Sequence, residues 1–287
     1  MERLRIAIEK ARTAREQGGP DTRPAAPSRA PGIGRAANRP DGASAGGTPG
    51  LEAAWSALTP FQPRAKQLER SRIVSAHGDR QATEFDKLRT RIVQQMQARG
   101  WRRLAVTSPG PGCGKSTVTL NLGFGLARRE SNRIVICEMD LRRPSLARLL
   151  GLPGRADIAR VLQGVDPFEA HAVRVGGNLA VATARGSRSQ TAELLQDPST
   201  AAALEEIEAA YDPSVLLLDT SPVMVSDDTI GLLGHADCAL IVAAAGTTTI
   251  AEIDACEREV AAQTQVLGVV LNKCRFGDHG AGYDYYG

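Results

Sequence analysis

Leu104-Ala105-Val106-Thr107-Ser108-Pro109-Gly110-Pro111-Gly112-Cys113-Gly114-Lys115-Ser116-Thr117 decides the fold. A short apolar run suited to a buried strand enters a glycine-rich turn, and a helical stretch, Val118 to Arg129, follows. Gly112 and Gly114 let the backbone wrap with its N–H groups pointing inward, and a helix starting near Lys115 adds the positive end of its dipole. The Lys115 ammonium can reach outer phosphates and the Ser116 hydroxyl suits Mg²⁺. Gly110, Gly112, Cys113, Gly114, Lys115, Ser116 and Thr117 are therefore the candidate nucleotide-binding residues. The usual pattern opens on a glycine where this chain has Pro109. A strand before, a helix after and an intact Gly-Lys-Ser-Thr outweigh that departure.

Two acidic strand ends accompany the loop. Ile134 to Cys137 runs into Glu138-Met139-Asp140-Leu141-Arg142-Arg143-Pro144, and Val215 to Leu218 closes on Asp219. Ligands of parallel sheets bind at the carboxyl ends of the strands, so Glu138, Asp140 and Asp219 are expected beside the phosphates, serving Mg²⁺ and proton transfer. Either acidic end alone reads equally well as a helix cap or a solvated turn.

Further short apolar runs, Leu179 to Ala182, Ala239 to Ala243 and Val266 to Leu271, alternate with helical stretches. A helix is expected over Thr83 to Ala98, with Phe85, Leu88, Ile92 and Met96 on one face. Strands apolar on both faces belong between two helical layers, so the fold class is α/β, a doubly wound and mostly parallel sheet. The chain divides into residues 1–17, a short amphipathic helix; 18–50, a disordered linker; 51–80, a transitional segment with Trp55 and Phe61 as candidate anchors; 81–275, the nucleotide-binding domain; and 276–287, a flexible tail. The linker assignment rests on eight glycines, six prolines and seven alanines between Gly18 and Gly50.

The 287 residues carry 35 basic and 32 acidic side chains; the first 80 hold a net +6 and the rest a net −3. A net-acidic core argues against nucleic acid as a partner. Five scattered cysteines without a Cys-x-x-Cys pair suggest a reducing compartment and no zinc site, and no run approaches the roughly 18 apolar residues of a membrane span. A cytoplasmic location is expected. Three of the four tyrosines, Tyr283, Tyr285 and Tyr286, gather in a glycine-rich segment.

In these residues the chain resembles the bacterial tyrosine kinases of exopolysaccharide and capsule synthesis, the CpsD/CapB group, relatives of the partitioning ATPases of the MinD/ParA type. The resemblance covers about Thr83 onward and rests on Leu88-Arg89-Thr90, the loop Pro111 to Thr117, Asp140-Leu141-Arg142-Arg143-Pro144, Asp219-Thr220-Ser221-Pro222-Val223, Val225-Ser226-Asp227, Gly268 to Asn272 and the tyrosine segment. It implies ATP on Lys115 and the loop amides, Mg²⁺ on Ser116, Asp140 and Asp219, and an adenine-contacting position at Asn272. Glu138 stands where the group carries an aspartate proposed as general base, one methylene shorter. Tyr283, Tyr285 and Tyr286 become autophosphorylation sites. Implied partners are a transmembrane polysaccharide co-polymerase or chain-length regulator acting as activator at the inner face of the membrane, a cognate phosphatase and a homo-oligomer. Ring-forming members carry a Glu and two Arg where this chain has Thr83, Asp86 and Arg89, so ring assembly by that contact is not expected.

Two functions follow. One is an ATP-dependent protein-tyrosine autokinase that regulates polysaccharide polymerisation and export. The other is a P-loop ATPase switch that regulates a membrane co-polymerase without phosphorylating protein.

Overall fold

The computed structural model describes residues 49–76, 82–186 and 190–274. The helix read in 1–17 and the tyrosines of 276–287 lie outside the described residues. In chain order the elements are α1 (Pro49–Ala57), β1 (Thr59–Pro60), α2 (Ala65–Arg70), α3 (Thr83–Arg99), β2 (Arg103–Thr107), α4 (Lys115–Ala127), β3 (Ile134–Glu138), α5 (Leu146–Leu150) and α6 (Ile158–Leu162). There follow β4 (Ala172–Val175), β5 (Leu179–Ala182), α7 (Thr191–Gln196), α8 (Pro198–Tyr211), β6 (Val215–Asp219), α9 (Asp228–Leu233), β7 (Cys238–Ala244), α10 (Ile250–Gln263) and β8 (Gln265–Asn272).

The strands form one eight-stranded sheet in the order β1-β4-β5-β3-β6-β2-β7-β8. Every neighbouring pair is parallel except β4 and β5, which form an antiparallel hairpin. The expected α/β doubly wound class is the fold observed. Because side chains alternate along a strand, each central strand feeds two cores. Leu216 and Leu218 of β6 face one layer with α1, α6, α8 and α9, while Val215 and Leu217 face the other with α3, α4 and α5. The five residues of β2, β3 and β6 are all buried, which is why these strands read as continuous apolar runs.

α4 lies close against the sheet. A Cβ on Gly123 would stand 2.5 Å from Ile136 Cδ1, so any larger residue there would have to displace the Ile136 side chain. The loop from β2 brings the start of α4, and with it Lys115, to the carboxyl ends of the strands, where its charge reaches Asp219 at the end of β6.

Residues 49–76 are packed onto the body. Trp55 is buried, its indole Nε1 donates to the Tyr211 carbonyl at 3.0 Å, and its ring meets Tyr211 edge-on with centroids 5.9 Å apart. Leu58, Leu68 and Ile73 are buried as well, and Asn121 of α4 ties the segment down by accepting from Ser75 N and donating to Arg72 O. Periodicity does not expose this segment, because its helices are nine and six residues long and Pro60 and Pro63 interrupt it. The strands β1 and β4 were likewise not read from the sequence: β1 has two residues, and β4 is Ala-Val-Arg-Val with partly exposed central positions.

Candidate nucleotide-phosphate site

The loop between β2 and α4 has the geometry that its glycines demand. Gly112 and Gly114 take φ of +76° and +94°, left-handed values that other residues rarely adopt. At Gly114 there is also no room, since a Cβ would lie 2.3 Å from Asn272 Nδ2. Gly110 and Gly112 face open space. α4 begins at Lys115, where the sequence reading placed the helix start, and its first bond runs from Val118 N to Gly114 O at 2.9 Å.

The loop borders a cavity of about 640 Å³. Gly112, Gly114, Lys115, Ser116, Thr117 and Asp140 line it, and its far side is made by Arg142, Arg143, Ser145, Arg148, Leu149, Ser221, Pro222, Val225, Ser226 and Lys273. Lys115 is 7% exposed. Its charge faces Asp140 and Asp219, holding both carboxyls lower than burial alone would leave them.

Asp219 is fully buried. The Thr119 hydroxyl lies 3.2 Å from its Oδ1, and Oδ2 has no hydrogen-bond partner. Burial pushes the Asp219 carboxyl up to about 6, against the pull of Lys115 and the Ser116 and Thr119 hydroxyls. A buried carboxylate oxygen left unpaired beside a hydroxyl and a second carboxylate is a donor set that suits a hard divalent cation, so Ser116, Asp140 and Asp219 fit Mg²⁺. Asp140 lines the cavity with Oδ1 accepting the Arg143 backbone N–H at 3.0 Å, and burial holds its carboxyl above the ordinary range.

Glu138 behaves differently. It sits opposite Asp219 in the β3–β6 register, fully buried and behind the cavity wall. Oε1 accepts the backbone N–H groups of Ser145 and Leu146, the latter at 2.7 Å, and Oε2 accepts that of Ala184 at 2.8 Å. Burial drives its carboxyl up to about 7 against these three amides, with Asp219 adding to the rise. Both oxygens accept backbone amides and Glu138 does not line the cavity, so its carboxylate holds the loop that follows β3. Asn272 is also committed inward: its Nδ2 donates to the Cys113 carbonyl at 2.9 Å, bracing the loop where the resemblance implied an adenine contact. Cys113 is buried, its Sγ 3.3 Å from the Gly110 carbonyl.

Sequence reading missed Ser145, whose hydroxyl donates to Ser116 Oγ at 2.9 Å. It missed too the clamp in which Arg142 donates through Nε and Nη2 to buried Asp228, at 2.6 and 3.0 Å, while Thr191 donates to the same carboxylate. Arg142 was legible as part of a motif; neither Ser145 nor Asp228 carries any periodic signal. Arg89 bonds the Gly125 carbonyl at 2.9 Å and pairs with Asp86 at 3.3 Å, so it is spent within its own chain.

A family model described as ParA, NUBPL iron-transfer P-loop NTPase, matches residues 101–284. The chain belongs to the ParA-type P-loop NTPase family. Within it, EpsB of Ralstonia nicotianae is 30% identical over 188 residues, covering 64% of this chain but 24% of EpsB, so the chain spans about a quarter of that relative's length. The tyrosine-protein kinase YwqD of Bacillus subtilis is 27% identical over 207 residues, 71% of this chain and 85% of YwqD. The kinase domain of the Escherichia coli tyrosine kinase ETK superposes with a TM-score of 0.65 at 20% identity, covering 82% of this ParA-type chain and 98% of that domain. The resemblance to the CpsD/CapB group holds, and the ParA-type fold carries the nucleotide-phosphate loop expected of it. Among the described residues, no helix is long and apolar enough to cross a membrane.

Proposed function

We propose that this protein is an ATP-dependent protein-tyrosine autokinase that regulates exopolysaccharide or capsule polymerisation and export. The observation that carries the reading is the meeting of Lys115, Ser116 and Asp140 along an open cavity at the carboxyl ends of β2 and β3, with Asp219 buried at the end of β6 where the Lys115 charge reaches it. Phosphoryl transfer depends chiefly on positioning and charge, and this wall supplies both. Lys115 and the loop amides hold the ATP phosphates, and Ser116, Asp140 and Asp219 hold Mg²⁺, which neutralises charge on the phosphates when bound. The tyrosine oxygen attacks the γ-phosphorus, the bond to the bridging oxygen breaks, ADP leaves and the phenolic proton passes to a nearby base.

Asp140, which faces the cavity, is catalytic through the Mg²⁺ that it helps to hold. Lys115 and Asp219 are the remaining catalytic residues, and Glu138 contributes by holding the loop that follows β3. Tyr283, Tyr285 and Tyr286 are the proposed acceptors. Tyr211 is excluded as an acceptor by its place in the core, 3% exposed between Trp55 and Phe168. The cytoplasmic tail of a transmembrane co-polymerase is the proposed activator, keeping the protein at the inner face of the membrane; a phosphatase resets the tail, and a homo-oligomer brings tail and site together.

One observation favours the second reading. With both Glu138 oxygens engaged, a nucleotide-dependent switch that regulates a co-polymerase without phosphorylating it needs no base. Incubating the protein with ATP and Mg²⁺, with and without an activator tail, and mapping phosphate by mass spectrometry separates the two. Phosphotyrosine in the 283–286 segment supports the kinase; ATP hydrolysis with no phosphotyrosine under any condition supports the switch.

A further inference from the structure

The phosphate loop brings a single cation to its cavity. Residues 108–117 hold Lys115 and no arginine, and Gly110 and Gly112 have only open space beside them. The Lys115 charge is shared between the Asp140 and Asp219 carboxyls. A nucleoside triphosphate carries more charge at its outer end than a diphosphate, so that end calls for a second cation. Arg142, Arg143, Arg148 and Lys273 line the same cavity. Of these, Arg142 is the one with a carboxylate partner among the described residues. Its Nε and Nη2 donate to the two oxygens of Asp228 at 2.6 and 3.0 Å, and that carboxylate is fully buried. The Thr191 hydroxyl lies 2.9 Å from each of the same two oxygens. Asp228 stands close enough to Asp140 to raise its carboxyl, which places the clamp beside a residue assigned to Mg²⁺.

This side-on grip uses the Nε–Nη2 edge of the guanidinium. It leaves Nη1, whose N–H groups have no hydrogen-bond partner among the described residues, on a side chain that is 44% exposed although its partner is buried. A planar guanidinium held along one edge keeps its other edge in a fixed direction. Donors that are already in place stabilise charge more effectively than mobile ones, because nothing has to reorganise as the charge arrives. We propose that Arg142 is a second cationic contact for the γ-phosphate, with Nη1 as its donor, and that Asp228 and Thr191 are the positioning residues that hold it there. The inference rests on the nucleotide-phosphate reading of the loop and applies to the kinase and to the switch alike. It also gives a reason for burying Asp228, an anchor that water cannot loosen.

The test measures binding to the full chain, with Mg²⁺, of fluorescent ADP and of a fluorescent ATP analogue whose β–γ bridge is an NH group, so that no transfer intervenes. Arg142→Met should lower the ratio of triphosphate to diphosphate affinity about tenfold. Arg142→Lys should recover little of that loss, since an ammonium keeps the charge but cannot be gripped along an edge. Arg142→Met also leaves Asp228 buried without its cation, so its urea midpoint should fall. Adding Asp228→Asn to Arg142→Met removes the buried charge and should restore the midpoint while the ratio stays low. Asp228→Asn alone loosens the grip on an intact arginine and should lower the ratio by a smaller factor. Arg143→Met, the same loss of charge without an anchor, should leave the ratio unchanged. A ratio restored together with the midpoint in the double variant overturns the proposal, by reducing Arg142 to a structural partner of Asp228. An equal fall of the ratio in Arg143→Met also overturns it, by assigning the effect to the total charge of the cavity. An unaltered chain that binds neither nucleotide sinks the phosphate-site reading as well; one that binds both, with the ratio unchanged in Arg142→Met, sinks this proposal alone.

Discussion

Glu138 accepts the Leu146 backbone N–H at 2.7 Å, and this bond, with its partner from Ser145, holds the loop after β3 against the end of the strand. The same loop presents Asp140 to the cavity and Ser145 to Ser116. A buried carboxylate thus sets the position of two groups that face the phosphates. Glu138→Gln keeps the shape but replaces an acceptor oxygen with an N–H₂ facing backbone donors, so it should lower turnover by about tenfold or more. Ser145→Ala should act in the same direction but more weakly. If Glu138 were itself the base, Glu138→Asp would be the best tolerated change; if it holds the loop, Glu138→Asp should lose as much turnover as Glu138→Gln. Steady-state phosphorylation of the three variants decides.

The same carboxyl gives the metal-free protein a pH dependence. Glu138 and Asp219 titrate higher in the folded chain, at about 7 and about 6, than their ordinary values of 4.5 and 3.8. The stability they contribute is therefore fully present below those ordinary values and is lost as pH rises through about 6 to 7. The urea midpoint of the metal-free protein should fall between about pH 5 and pH 8, and saturating Mg²⁺ with nucleotide should flatten that fall. A midpoint that rises over this range would contradict the assignment.

Asn272 and Gly114 form a second linked pair, a side chain of β8 pressed on the phosphate loop. Asn272→Ala removes the bond to the Cys113 carbonyl at a cost of about 1 kcal/mol. A brace serves any nucleotide, so the variant should weaken ATP, GTP and pyrophosphate binding by the same factor. Loss of ATP binding alone would make Asn272 an adenine contact.

The metal assignment predicts a difference between two isosteric changes. Asp219→Asn and Asp140→Asn should each weaken ATP binding more in the presence of Mg²⁺ than in its absence, and Asp219→Asn should do so more strongly because its unpaired Oδ2 has no other role. Calorimetric titrations with and without the metal measure this. Equal losses in the two conditions would remove Mg²⁺ from these residues.

The central strands and the phosphate loop were legible because they are local. Val215 to Asp219 and the loop at Gly112 to Thr117 state their structure in consecutive residues; the strand read as Val215 to Leu218 runs one residue further, and the helical stretch read to Arg129 ends two residues earlier. What was illegible depends on distant partners. Trp55 was read as a candidate anchor, but its partner, the Tyr211 carbonyl and ring 156 residues away, was not, and Glu138 holds a loop only because the Ser145 and Leu146 amides turn back to it. Carboxylates at strand ends look alike in sequence. Burial and hydrogen-bond direction separate Asp140, which meets the cavity, from Glu138, which does not.

The most direct test of the central claim mixes two proteins. One is Lys115→Met with its tyrosines intact; the other is an active chain whose Tyr283, Tyr285 and Tyr286 are replaced by Phe. With ATP, Mg²⁺ and an activator tail, the account predicts phosphate on the tyrosines of the Lys115→Met partner and none when that protein is incubated alone. ATP hydrolysis by the active chain with no phosphotyrosine on its partner would contradict it.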